Sequence, residues 1–99
     1  MTINKTQEND KLIIAVTGRL DTNTAPKLQE TLLAALKEAE DIKLDFVKLN
    51  YISSAGLRVL LMGQKTAKAG NGSMTVVNVS DEIMEVFDMT GFSDVLTTE

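Results

Sequence analysis

Asn50-Tyr51-Ile52-Ser53-Ser54-Ala55-Gly56-Leu57-Arg58-Val59-Leu60-Leu61 is the stretch on which the reading of this chain turns. It follows a strand-like run, sets two serines and an Ala-Gly pair at a turn, and then enters an apolar pattern of helical spacing. A helix beginning there leaves its first N–H groups unpaired and carries a partial positive charge directly beneath a hydroxyl. Such a hydroxyl can be an N-cap and nothing more, or it is well placed to carry a phosphate. Ala55 and Gly56 keep the backbone sterically open, so a partner can approach closely.

Working outward, Ile42, Leu44 and Phe46 alternate along residues 42–47, which predicts a strand covered mainly on one face. The helix after the serines is expected over about residues 55–68, burying Leu57, Leu60 and Leu61 and stopping at Gly70. Residues 74–79 are almost uninterrupted apolar and predict a strand inside the sheet. Ser80-Asp81-Glu82 opens a short helix with an Ile83, Val86 and Phe87 stripe, ended by Gly91, and residues 95–97 form a last strand. Upstream, residues 3–8 are a polar edge strand, and residues 12–17, bounded by Gly18, pair with them as a hairpin. Residues 18–24 form a polar loop in which Asn23 or Thr24 caps a helix with Pro26 in its first turn. Leu28, Leu32 and Leu36 recur at i+4 along that helix, to about residue 40. The order β-β-α-β-α-β-α-β requires an α/β fold with a small, mixed, mostly parallel sheet and right-handed crossovers.

The totals set limits on function. Ninety-nine residues make one domain, residues 1–99, burying roughly 60–65% of the unfolded surface. There is no cysteine and no histidine, which removes disulfides, thiolate metal sites, a cysteine nucleophile and the usual general base. With 10 basic and 14 acidic residues the net charge is −4, and no basic stripe offers itself to nucleic acid. No apolar run approaches the roughly 20 residues that span a bilayer, and the N-terminus lacks an apolar signal core. A cytoplasmic domain without membrane insertion is expected.

Loops leaving the C-terminal ends of parallel strands form the functional rim of such a sheet. Here these carry Asp21, Thr22, Asn23 and Thr24, then Ser53 and Ser54, then Ser80. Ile52-Ser53-Ser54-Ala55-Gly56 has the strand–turn–helix order of a nucleophile elbow but lacks its first glycine, and there is no histidine to act as base. Gly70-Asn71-Gly72 follows a helix and precedes a strand, the reverse of a dinucleotide fingerprint. The spacing of Asp21, Asp45 and Asp94 suggests no metal site. The chain is expected to be no enzyme and to carry no cofactor.

Gly18-Arg19-Leu20-Asp21, Leu44-Asp45-Phe46, residues 51–60 and Phe87-Asp88-Met89-Thr90-Gly91-Phe92 together resemble the STAS domains, and in particular the stand-alone anti-sigma factor antagonists of bacteria. The resemblance runs almost the full length and implies β-α units wound as a superhelix over the sheet. It implies partner switching: the serine matching Ser54 is phosphorylated by a partner that is both anti-sigma factor and serine kinase. The unphosphorylated form binds that partner and frees the sigma factor, and a serine phosphatase resets the switch. Asp21, Thr22, Asn23, Ser53, Ala55, Gly56 and Arg58 are then the expected partner-binding residues. Ser53 stands where many antagonists carry an aspartate, which leaves Ser53 as a second acceptor. It also leaves open a binding module that works without phosphorylation, such as a subunit of a lipid transporter or a signalling scaffold.

Overall fold

The chain opens with an antiparallel hairpin. In a computed structural model describing residues 1–99, β1 (Thr2–Glu8) pairs with β2 (Lys11–Leu20) in unbroken register from Thr2↔Thr17 to Glu8↔Lys11. Asn9 makes the turn at φ 56, a left-handed conformation that asparagine tolerates. The remaining pairings are parallel, with β3 (Asp41–Asp45) beside β2, β5 (Ser73–Val77) beside β3 and the two-residue β6 (Thr97–Thr98) beside β5. The sheet order is β1-β2-β3-β5-β6.

One strand was not expected. β4 (Leu49–Ile52) pairs in parallel with the end of β2, so the order is β-β-α-β-β-α-β-α-β rather than β-β-α-β-α-β-α-β. Its sequence hides it: only Leu49 and Ile52 are buried, so no alternation announces it. β2 correspondingly continues past Gly18, which had marked its expected end. Gly18 sits at φ 99, where the pairing shifts register, and its N–H donates to the Lys48 carbonyl at 2.9 Å. The extra residue of this bulge is Asn50 on β4, and Gly18 opposite it marks where β2 leaves β3 and continues against β4.

Three helices follow the strands: α1 (Ala25–Glu38), α2 (Ser54–Ala69) and α3 (Asp81–Thr90). Leu28 and Leu32 of α1 are fully buried, as the i+4 spacing requires, while Leu36 is half-buried. On α2, Leu57 and Leu60 are buried as expected and Leu61 only partly so. Gln64, which no apolar stripe includes, is 3% exposed. Its Oε1 accepts the Thr97 N–H at 3.2 Å and ties α2 to β6. Gly70 follows α2 at φ −92, and the left-handed residue there is Asn71 at φ 62. Inward-facing Leu12, Ile14, Val16, Ile42, Leu44, Phe46, Met74 and Val76 meet the helices in one cluster of 22 buried apolar residues. The alternate residues Ile13, Ala15, Thr17, Lys43, Asp45, Thr75 and Val77 are only half-buried. The helices therefore cover one face of the sheet. Parallel pairing of β2, β4 and β5 sends the loops before α1, α2 and α3 out of the same edge.

Candidate functional site

At that edge the two adjacent serines play different parts. Ser53 is the N-cap of α2, extended at φ −102 and ψ 176. Its N–H donates to the Leu20 carbonyl at 2.9 Å, and its own carbonyl accepts from Leu57 N–H at 3.0 Å. Its hydroxyl makes no capping bond and is buried without a protein partner. Ser54, the first residue of α2, is exposed. Ala55 is half-buried, and Gly56 is buried against Leu20 and Ile52, where a Cβ would lie 2.8 Å from Leu20 Cγ. Of the two serines, Ser54 is the exposed one, while Ser53 is half-buried with its hydroxyl turned inward.

The loop before α1 is organised by a carboxylate. Asp21 Oδ1 accepts the N–H of Asn23 at 3.0 Å and of Thr24 at 3.1 Å, and its carbonyl accepts from Ala25 N–H at 2.8 Å. Thr24 is the N-cap by position but makes no capping bond with its side chain. Its hydroxyl instead accepts Asp21 N–H and donates to the Arg19 carbonyl, each at 2.8 Å. Thr24 thus holds the expected cap position without the side-chain bond, and an Asp21-centred turn orders the residues ahead of the helix. Asp21 Oδ1 takes two successive amides of the turn just ahead of the helix, while the Thr24 hydroxyl is tied to Asp21 N–H and the Arg19 carbonyl and is not free to cap. Partial desolvation pushes the Asp21 carboxyl up, but the bonds from Thr24 and Asn23 and the nearby Arg19 more than offset this. The group lies below the usual carboxylate range.

Arg19 belongs to the Gly18–Asp21 stretch that the resemblance includes, but its contacts at this edge are not legible from the sequence. It lies opposite Tyr51 in the β2–β4 pairing, with its guanidinium carbon 4.0 Å from the ring centroid and its Nε 3.7 Å from Asp21 Oδ2. Nothing in the sequence could place the two together without β4. Between the starts of α1 and α2 a shallow cleft of about 230 Å³ is lined by Thr22, Ala25, Pro26, Gln29, Ala55, Arg58 and Val59. It brings Thr22, Ala55 and Arg58 of the expected set together. Asp21 is instead engaged by its own loop, and Asn23, exposed on that loop, lies outside the cleft.

Comparison with known proteins identifies the family and the fold. The family model described as "Mlab, STAS domain" matches residues 3–98. An anti-sigma-B factor antagonist of Bacillus subtilis is 31% identical over 92 residues, covering 93% of this chain and 84% of that protein. The unphosphorylated form of the anti-sigma factor antagonist SpoIIAA superposes with a TM-score of 0.83 at 18% identity, covering 99% of this chain and 88% of that one. The phosphorylated form of the Bacillus cell fate determinant SpoIIAA superposes at 0.77, again at 18% identity, covering 99% and 91%. The full-length family match and the bacterial relative together place this chain in the STAS domain family.

Proposed function

We propose that this protein is an anti-sigma factor antagonist that works by partner switching, with Ser54 as its phosphoacceptor. The observation that carries the reading is the division between the serines: Ser53 holds the helix start with its hydroxyl buried, and Ser54 stands exposed beside an open cleft. Unphosphorylated, the surface from Thr22 across Ala55 to Arg58 binds an anti-sigma factor that is also a serine kinase, and the sigma factor is released. In the modifying step the γ-phosphoryl group moves from ATP to Ser54 Oγ, the hydroxyl proton passes to a base on the kinase, and ADP departs. The protein is a regulatory binder and a kinase substrate, not itself an enzyme, and a phosphatase returns it to the binding form.

Phosphorylation brings about −1.5 to −2 charges and three acceptor oxygens to the first residue of α2. The helix tolerates this, since its dipole favours an anion there. The complex does not. A hydrated dianion buried unpaired in a packed contact costs several kcal/mol, enough to end binding. The test is a phosphate-affinity gel of the protein incubated with ATP and the anti-sigma factor kinase recovered with it. A shifted band that disappears in Ser54→Ala is expected. Ser54→Asp should weaken partner binding by at least tenfold, and Ser54→Ala should leave it intact. A wild-type band that never shifts, or a shift that survives Ser54→Ala, overturns the reading; the first result would favour a STAS binding module that needs no phosphate.

A further inference from the structure

Ser54 and Arg58 are four residues apart on α2 and both are exposed. Residues at that spacing share one helix face with Cβ atoms about 5–6 Å apart, and an acid one turn N-terminal to a base is the favourable order. Arg58 is uncommitted: the ion pairs of this chain engage Lys5, Arg19 and Lys43, and no side-chain hydrogen bond uses its guanidinium. Among the seven residues lining the cleft between α1 and α2, Arg58 alone is charged. The other charged groups on the neighbouring loop face each other. Arg19 lies over Tyr51 and beside Asp21, and Asp21 accepts the amides of Asn23 and Thr24.

We infer that Arg58 is the intramolecular receptor for a phosphate on Ser54, so that phosphorylation draws the cleft's one cation to the phosphate as well as adding an anion beside it. The inference rests on Ser54 being the phosphoacceptor. A guanidinium offers a planar fork of donors matched to phosphate oxygens, and it forms such pairs bidentately. Phosphorylation then acts twice on the binding surface. It adds repulsion, and it removes an arginine that the unphosphorylated cleft presents to the partner.

The experiment installs phosphoserine at position 54 during synthesis, with no kinase involved, and follows the phosphate by ³¹P NMR through a pH titration. In the otherwise wild-type protein the second ionisation should fall below its ordinary value of about 6. Arg58→Gln should raise the midpoint by about 0.2–0.4 unit, the size of a surface helix pair, and Arg58→Lys should lie between. The Arg58 Nε–Hε resonance should move on phosphorylation in wild type. A midpoint that Arg58→Gln leaves unchanged, in proteins whose amide spectra show the same fold, overturns the pair. This result is separable from the function itself. A midpoint indifferent to position 58 alongside robust kinase labelling sinks only the pair, whereas absence of labelling sinks the phosphoswitch whatever Arg58 does.

Discussion

Helices α2 and α3 both begin on a serine in extended backbone, and the two serines behave oppositely. Ser80, at φ −68 and ψ 160, accepts the N–H of Ile83 at 3.2 Å, and Asp81 and Glu82 occupy the first turn of its helix. Ser53, at φ −102 and ψ 176, leaves the amides of its own helix alone, and the first turn of α2 contains no acid. α3 thus satisfies its own terminus with a hydroxyl and two carboxylates. α2 leaves the same positive end without an anion and places an exposed Ser54 on it. The third helical position makes the same contrast in packing. It is Ile83 in α3, 3% exposed, and Gly56 in α2. One helix start is built for stability by its side chains; the other is pressed backbone-first against the sheet, leaving its outer side free.

The largest effect that could break this comparison comes from Gly56. A Cβ there would sit 2.8 Å from Leu20 Cγ and 2.9 Å from Ile52 Cγ1, and both neighbours are buried core residues with little room to yield. Gly56→Val should cost about 2–3 kcal/mol by overpacking, read as a lowered urea midpoint at unchanged slope. Ile83→Ala should cost a similar amount for the opposite reason, by leaving a cavity under α3. A Gly56→Val midpoint equal to wild type would mean that α2 can stand off from β2 and β4, and the close approach would lose its role in fixing Ser54.

The capping serines give the next test, and here the two sites should differ in sign. Ser80→Ala removes a made cap and should cost about 1 kcal/mol. Ser53→Ala removes a buried hydroxyl without a protein partner, which is a liability rather than a contact. It should be neutral or stabilising by up to about 1 kcal/mol. Paired urea denaturation curves decide this. Equal losses in the two variants would show that Ser53 does cap α2 in solution, and the division of labour between Ser53 and Ser54 would fall.

The same contrast explains what could be read before the structure was known. The helices, the hairpin and the strands at β3 and β5 follow from periodicity, because Leu28 and Leu32, or Ile42, Leu44 and Phe46, each report one buried face. The Ser80 cap is legible because its serine is followed by acids and has a single local use. β4 was not legible: Leu49 and Ile52 are buried at its two ends while Asn50 and Tyr51 between them are exposed. Missing it concealed the Arg19–Tyr51 stack and the continuation of β2 through Gly18, since both exist only through the β2–β4 pairing. Ser53 and Ser54 were legible as a pair. Which of them is buried depends on the Leu20–Ser53 hydrogen bond, a long-range contact that no local pattern encodes. Gln64 was missed for the same kind of reason, its partner Thr97 being 33 residues away.

The start of α1 supplies a third case and the smallest expected effect. The turn leading into it is held by a charge, not a hydroxyl: Asp21 accepts the amides of Asn23 and Thr24 just ahead of the helix, and its carboxyl lies below its ordinary value. A carboxyl depressed by folding contributes stability above its unfolded value of about 3.9, and that contribution is lost as pH falls through the lower folded value. Wild type should therefore exceed Asp21→Asn in urea midpoint at pH 7 and still at pH 5, with the gap closing below pH 4. Asparagine keeps an acceptor oxygen for the same amides, so the difference isolates the charge from the turn geometry. A gap that persisted undiminished below pH 3 would assign the effect to shape instead of charge. The turn around Asp21 would then owe its stability to the shape of the side chain, and the charge that Arg19 and the two amides face would add nothing in the free protein.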